Sequence, residues 1–151
     1  MSDLQADKKT EYREGVEIAI PVDDGDTIYA GAMVSVNAAG YAVKAGDTAS
    51  TLFMGIAIGQ ADNSTGSDGD ISVTVRRRGL FKMSFATPIS IANVGDSVYI
   101  ADDQNVDLVG NVTNDIFCGI IAEYIDTTHA WIDIEPAIRQ SDAAAHIADG
   151  S

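Results

Sequence analysis

Two stretches of the chain recur at an offset of 64 residues, from 31 to 95 and from 53 to 117. The segment "GAMVSV" matches "GDSVYI", and "FMGIAI" matches "FCGIIA", while Pro21 and Pro88 lie comparably upstream. Halves of this size cannot each bury an apolar face alone, so the repeat predicts that they pair into one domain. We expect pseudo-repeats at about 16–87 and 88–136.

Apolar residues alternate with polar ones in short runs, which is the period of half-buried strands. Val73 and Val75 share one face of "DISVTV", and Ile132 and Ile134 share one face of "AWIDIE". The pattern predicts an all-β small barrel or sandwich built from two similar halves, with extended N- and C-terminal arms. We place an N-terminal arm at 1–14, the β domain at 15–137 and a C-terminal tail at 138–151.

The charge of the chain restricts its partners. Nine Lys and Arg oppose 23 Asp and Glu, for a net charge of −14. This balance argues against general binding to nucleic acid or to anionic membranes, since both require a positive face. No apolar run approaches the ~20 residues of a membrane span, and the first residues lack the apolar stretch of a signal peptide. We expect synthesis in a cytosol-like compartment.

The residues that usually carry chemistry give no convincing catalytic or metal site. His129 and His146 are read as surface histidines, and the lone Cys118 as a small buried thiol. The loop at 59–71 contains Asp62, Asp68 and Asp70, but it lacks the spacing of a helix-flanked calcium loop. We interpret it as a polar connection, with a looser ion site as the alternative. The sequence favours a protein that is not an enzyme and has no cofactor.

A basic cluster stands out in this acidic chain: Arg76, Arg77, Arg78 and Lys82 all lie in "VTVRRRGLFKM". Strand alternation cannot turn all three arginines outward, so Arg77 is expected at a barrel rim or at a bulge near Gly79. Two interpretations remain open. The arginines either pair locally with nearby carboxylates, or they form a docking patch, because arginine is common at protein interfaces.

Two aromatic residues are expected on the outer face of their strands. Trp131 has the opposite parity to Ile132 and Ile134, and Tyr99 lies on the outer face of "SVYI". An outward tryptophan on a strand is typical of an interface or of contact with an arm. We therefore predict Trp131 and Tyr99 as interface residues together with Arg76, Arg77, Arg78 and Lys82.

The segment "VTVRRRGLFKMSFATPISIANVGDSVYI" resembles a family of small tailed-phage proteins, in which a "G-[VL]-F" step precedes a connector and a "G-D-x-V-Y" strand. The matching positions are Gly79, Leu80, Phe81, Pro88, Gly95, Asp96, Val98 and Tyr99. The later segments "NVTNDIFCGIIAE" and "AWIDIEP" look like the family's next and closing strands, so the resemblance covers roughly 15–136. The longer charged N-terminal arm, the C-terminal tail and the arginine triplet depart from the family pattern.

The resemblance implies a capsid decoration, or cement, protein: a β-barrel-like domain, commonly a trimer, that binds the outside of a phage head. Its expected partners are the major capsid protein and other copies of the chain, with no nucleic acid and no membrane. Its expected location is the capsid exterior of the virion, after synthesis in the host bacterial cytoplasm. The alternatives are a head-fibre or tail component and, from another class, a carbohydrate-binding β domain.

Overall fold

The computed structural model describes residues 3–139, so His146 and nearly all of the predicted C-terminal tail lie outside the described residues. The described part is built mainly of short β-strands, which confirms the predicted all-β class. These strands are β1 (Glu17–Pro21), β2 (Thr27–Ile28), β3 (Met33–Val36), β4 (Ala42–Lys44), β5 (Leu52–Ala57), β6 (Ala61–Asp62), β7 (Ser72–Arg76), β8 (Leu80–Phe85), β9 (Ser97–Ile100), β10 (Asn105–Asp107), β11 (Phe117–Asp126) and β12 (His129–Asp133). A 3₁₀ turn covers Ile91–Asn93, and a helical turn covers 135–139.

The strands form two units with the same strand order. The first unit is a sheet of order β1-β7-β5-β3-β4, accompanied by the small pair β2-β6. The second unit is a closed barrel in which β8, β12, β11, β9 and β10 follow one another in the corresponding order. The internal repeat of the sequence is therefore present in the topology.

The two units also share the register between their glycine-led strand and their Phe-x-Gly strand. In both pairings one residue between the Phe and the Gly is left out of the ladder as a bulge. The matched pairs are Val34 with Gly55 and Ser35 with Phe53 in the first unit, and Val98 with Gly119 and Tyr99 with Phe117 in the second. The hydrogen bonds beside these pairs are also equivalent in the two units: Gly31 N donates to Ala57 O in the first, and Gly95 N donates to Ile121 O in the second, both at 2.8 Å.

The Phe-x-Gly strands, β5 and β11, need glycine because the neighbouring strand approaches each of them too closely for a side chain. A Cβ on Gly55 would lie 2.5 Å from the carbonyl oxygen of Arg76, and one on Gly119 would lie 2.5 Å from Ile132 Cγ2. Gly55 also has a φ of 141°, which side chains rarely tolerate. The repeat is thus maintained by the same packing requirement in both units.

The second unit begins at β8, so the junction between the units lies at residues 77–79. The sequence repeats indicated a division at 87/88, which would leave β8 in the first half. Instead β8 pairs with β12 and β10, as β1 pairs with β7 in the first unit. Pro21, at the end of β1, corresponds in register to Ser84 of β8, so Pro21 and Pro88 are not matched residues.

Each unit buries a cluster of apolar side chains, and the barrel cluster extends across the junction. Val73 and Val75 belong to the first cluster, and Ile132 and Ile134 to the second, which confirms the alternation in the sequence. The barrel cluster also includes Phe53 and three other residues of the first unit: Met33, Ala45 and Ile56. Burial of these side chains holds the two units together as one body.

A polar contact adds to this association. Asp47, in the loop after β4, accepts hydrogen bonds from Thr113 N at 2.7 Å and Asn114 N at 2.8 Å, both in the loop before β11. The Asn114 side chain donates in return to the Asp47 carbonyl at 2.8 Å. These hydrogen bonds lower the pKa of Asp47, with the bond from Thr113 as the main cause. We call this contact the Asp47 latch.

Residues 3–15, which include most of the predicted N-terminal arm, contain no strand or helix, and every one of them is exposed. Leu4 and Tyr12 keep 71% and 83% of their surface accessible. The arm joins the body next to the junction, since β1 begins at Glu17 and Arg77 N donates to Val16 O at 2.8 Å.

Candidate interaction site

The turn between β7 and β8 positions the arginine triplet at the junction of the two units. β7 ends at Arg76, β8 begins at Leu80, and Gly79 between them has a φ of 117° that favours glycine. Arg76 and Arg78 are exposed, whereas Arg77 is partly buried. The strand alternation of the sequence thus continues through the triplet.

The two outer arginines make local ion pairs. Arg76 Nη2 lies 2.9 Å from Glu17 Oε2, across the β1–β7 pairing. Arg78 Nε pairs with Glu135, in the helical turn that follows β12. Both pairs are exposed, so each stabilises the fold by only about 0–1 kcal/mol. The local pairs of the first interpretation are therefore present for these two arginines, but both side chains stay accessible, so the docking interpretation remains open.

Arg77 differs from its neighbours because its guanidinium has no partner among residues 3–139. Its Nε atom is buried without a hydrogen bond. The side chain borders a cleft of about 430 Å³, which we call the junction cleft. Its other charged lining residues are Glu14, Arg78, Glu135 and Arg139. The prediction that Arg77 reaches a rim agrees with this position beyond the end of β7.

Lys82 and Trp131 lie opposite one another on the outer face of the barrel. They are directly paired between β8 and β12, and Trp131 is paired on its other side with Glu123 of β11. Trp131 retains 37% of its surface, and Lys82 has no ion-pair partner within residues 3–139. We call the surface formed by Arg76, Arg78, Lys82 and Trp131 the basic face.

Tyr99 does not belong to the basic face. It lies on β9, which pairs with β10 and β11, while Lys82 and Trp131 lie on β8 and β12. Its ring is tilted against Phe117 with the centroids 6.1 Å apart, and it is partly buried. The structure therefore groups the other five predicted residues around the junction and the outer barrel wall, and leaves Tyr99 apart.

A second cleft of about 430 Å³ separates the two units beside the basic face. Arg76 and Lys82 lie on its border, and its apolar lining includes Ile58 and Phe81. Ile58 is 47% exposed, which is high for an isoleucine. The basic face is therefore continuous with a partly apolar groove.

The remaining candidates from the sequence have structural roles. Cys118 is fully buried, and burial raises the pKa of its thiol, so it is not a ready nucleophile. His129 Nδ1 lies 3.0 Å from Asp126 in the β11–β12 turn and is only partly buried. The Thr128 hydroxyl also lies 3.0 Å from His129 Nδ1, so the histidine belongs to the hydrogen-bonded turn between β11 and β12.

The loop at 59–71 is organised by Asn63, a residue that sequence reasoning missed. Asn63 is buried, and the two hydrogens of its Nδ2 are shared among the carbonyl oxygens of Val22, Asp23 and Ser67, which lie 2.9–3.1 Å away. The sequence signal that could have identified this role is Gly66, three residues after Asn63. A side chain at position 66 would collide with the Asn63 amide oxygen. The polar loop is thus a folded element and not merely a spacer.

The three loop aspartates do not come together. Asp62 accepts from the Thr27 hydroxyl at 3.0 Å, and Asp70 accepts from Ser67 N at 2.8 Å. Asp68 instead approaches Asp23 and Asp24, with carboxylate oxygens within 4.8 Å of one another. Partial desolvation and the neighbouring Asp68 carboxylate raise the pKa of Asp23. Exposed acidic groups of this kind are common in proteins that bind no metal at them.

The chain matches no protein-family model, and no curated protein or solved structure is significantly similar to it. Within residues 3–139, no helix has the length and apolar character needed to cross a membrane.

Proposed function

We propose that this protein is a structural component of a tailed-phage virion that binds the outer surface of the capsid and stabilises the head. The observation that carries the proposal is the basic face: three cationic side chains and an exposed tryptophan lie together on the β body of a chain whose net charge is −14. Such a surface suits a protein partner with acidic groups at the contact, because arginine and tryptophan dominate many interfaces.

The residues that resemble the decoration family support the same proposal by their positions. Gly79, Leu80 and Phe81 form the entry to β8, and Gly95 with Asp96 leads into β9. The step "FCG" opens β11. These motif residues therefore shape three strands of the closed barrel and belong to its framework.

Binding by such a protein would depend on many copies acting together. A contact made by one basic face is small, but a homo-oligomer, most simply a trimer, presents several at once. Linking weak contacts raises the effective concentration of each, so avidity grows without any new contact. The major capsid protein is the proposed partner, and the rigid two-unit body would transmit force between neighbouring capsid subunits.

Imaging of undecorated phage heads mixed with the purified protein tests this proposal. Wild-type protein is expected to add density at regular positions on the heads. The triple substitution Arg76→Ser, Arg78→Ser and Lys82→Ser, which removes the three cations of the basic face, should reduce occupancy strongly and leave the thermal melting curve nearly unchanged. Unchanged occupancy would remove the docking role of these cations, and no binding by the wild type would reject the capsid function.

A matched control separates a specific contact from a general change of charge. The substitutions Ala38→Asp, Ala39→Asp and Gln60→Glu alter three exposed residues of the first unit and change the net charge by the same amount as the triple substitution. This control variant should bind heads as the wild type does.

One observation favours a second candidate function, a carbohydrate-binding β domain. Trp131 is exposed between Lys82 and Glu123, and an aromatic surface with polar groups beside it can bind a sugar ring. A glycan-array screen distinguishes the two candidates, since a decoration protein should give no specific signal. A head-fibre or tail component, the other alternative, would sediment and image as an elongated assembly.

A further inference from the structure

Arg77 is the one member of the arginine triplet whose charge is not compensated by a described residue. Arg76 pairs with Glu17 and Arg78 pairs with Glu135. The Arg77 guanidinium makes no hydrogen bond or ion pair with residues 3–139, although its Nε is buried. Burying a charged hydrogen-bond donor without an acceptor costs free energy. The isolated chain therefore leaves the Arg77 Nε–H without the acceptor that would offset this cost.

The two carboxylates that line the cleft, Glu14 and Glu135, do not bond to Arg77. Glu14 accepts a hydrogen bond of 3.3 Å from the Tyr12 hydroxyl, and Glu135 is paired with Arg78. The backbone around Arg77 is also fixed, because its N–H donates to Val16 O. The junction cleft therefore presents a guanidinium that neither of its own carboxylates engages.

The cleft has the size and charge to take an acidic side chain. Its volume is about 430 Å³, and Ile138 gives it an apolar wall. Its lining contains three cations, Arg77, Arg78 and Arg139, and two anions, Glu14 and Glu135, for a local balance of +1. A carboxylate that enters can form the forked pair of hydrogen bonds to which a guanidinium is suited.

We propose that the junction cleft of one copy of this chain binds a carboxylate side chain of a second copy through Arg77. A second copy is the occupant because the chain carries 23 acidic residues against nine basic ones, and the two carboxylates of the same chain that line the cleft do not engage Arg77. This inference rests on the oligomer that the proposed function requires. A cyclic trimer uses heterologous contacts, so the carboxylate lies on a surface other than the one that carries Arg77.

Carbodiimide coupling of the Arg77→Lys variant tests the contact directly. The substitution keeps the positive charge and supplies an amine that the reagent joins to any carboxylate in contact with it. Unlabelled and ¹⁵N-labelled protein are mixed and allowed to exchange before coupling. Peptide mapping by mass spectrometry should then show residue 77 linked to an acidic residue of the differently labelled chain.

The Arg76→Lys variant is the matched control. Because Arg76 already faces Glu17 at 2.9 Å, its lysine should couple within one chain. A residue 77 that couples only to carboxylates of the same chain, Glu14 and Glu135 included, or that does not couple at all, overturns the proposal. Thermal melting of both variants shows whether they are folded before coupling.

Sedimentation equilibrium provides a second measurement that does not depend on the lysine variant. Arg77→Gln should weaken self-association at least about tenfold, since it removes one partner of a buried charged contact. An Arg77→Gln variant that assembles as tightly as the wild type would contradict the proposal even if the heads are decorated. Failure of the wild type to bind heads, with self-association intact, would instead reject only the capsid function.

Discussion

The two units of the molecule follow one backbone plan, but only the second closes completely. In the barrel, β10 and β8 pair in parallel through Asn105 with Ser84 and Val106 with Phe85. In the first unit the corresponding edges meet at an isolated bridge between Val22 and Ala42. The same hydrogen bond marks both closures: Asp23 N to Ala42 O at 2.9 Å, and Ala86 N to Val106 O at 3.1 Å.

Proline accounts for part of this difference. Pro21 occupies the position in β1 that Ser84 occupies in β8, and it has no N–H to donate to a neighbouring strand. The first unit therefore keeps an open edge. Four of its apolar residues, Met33, Ala45, Phe53 and Ile56, pack instead in the barrel cluster. Shared glycines and apolar alternation therefore set the same strand order in both units, while single residues at strand ends decide whether the sheet closes.

The largest expected effect comes from removing the shared glycine. Gly55→Ala should lower the free energy of unfolding by about 3 kcal/mol, because the new Cβ meets the Arg76 carbonyl and the φ of 141° is strained. Gly119→Ala should cost about 2 kcal/mol through its contact with Ile132. Urea unfolding followed by circular dichroism measures both.

Gly59→Ala is the control for these substitutions. No atom lies within 4 Å of a Cβ built at Gly59, and the residue is exposed. Its effect should stay within about 0.5 kcal/mol. If Gly119→Ala proved equally harmless, the close packing of the Phe-x-Gly strand would not be a requirement common to both units.

The Asp47 latch gives the next largest effect. Asp47→Ala removes the acceptor for Thr113 N and Asn114 N, and it should lower the free energy of unfolding by about 1–2 kcal/mol. Separate unfolding transitions for the two units in this variant would show that the latch, more than the shared apolar cluster, couples them. A single transition with unchanged steepness is the expected result.

The latch also predicts a dependence on pH. The folded state lowers the pKa of Asp47 below its ordinary value of 3.8, so the charged form is the stabilising one. Its contribution is complete above the unfolded pKa and is lost as the pH falls through the lower folded pKa. The stability difference between wild type and Asp47→Ala, measured by urea unfolding, should therefore shrink in strong acid and be constant near neutral pH.

The sequence was sufficient to predict the strands and the repeat because both depend on local order. Alternation identified the buried faces of Val73, Val75, Ile132 and Ile134, and repeated glycines identified equivalent strands. The division at 87/88 differs from the junction because β1 and β8 have little sequence in common, so only their pairing reveals their equivalence.

The candidate site was only partly accessible to sequence reasoning. The basic cluster and the outward Trp131 follow from composition and parity. The pairing of Arg78 with Glu135 depends on a contact between distant segments, and so does the Asp47 latch. No local pattern distinguishes these acidic residues from the many others in the chain, and only the folded chain shows that Arg77 is left without a partner.

Hydrogen exchange measures whether the two closures differ in local stability. The Asp23 amide bonds to β4 at an isolated bridge, whereas the Ala86 amide lies beside a continuous parallel pairing. Asp23 should therefore exchange about tenfold faster than Ala86, corrected for intrinsic rates, because local opening costs less free energy at the open edge. Equal protection, measured by NMR, would mean that the first unit is in effect closed too.

The smallest expected effects are those of the exposed ion pairs at the junction. Arg76→Ser and Arg78→Ser should each change the free energy of unfolding by less than about 0.5 kcal/mol, since both pairs are open to solvent and screened by salt. Urea unfolding at low and high salt measures this, and a cost of 2 kcal/mol in either variant would assign the arginines to the fold. A small cost means that the junction is held by the apolar cluster and the Asp47 latch. The arginines can then be altered to test binding without disturbing the body that presents them.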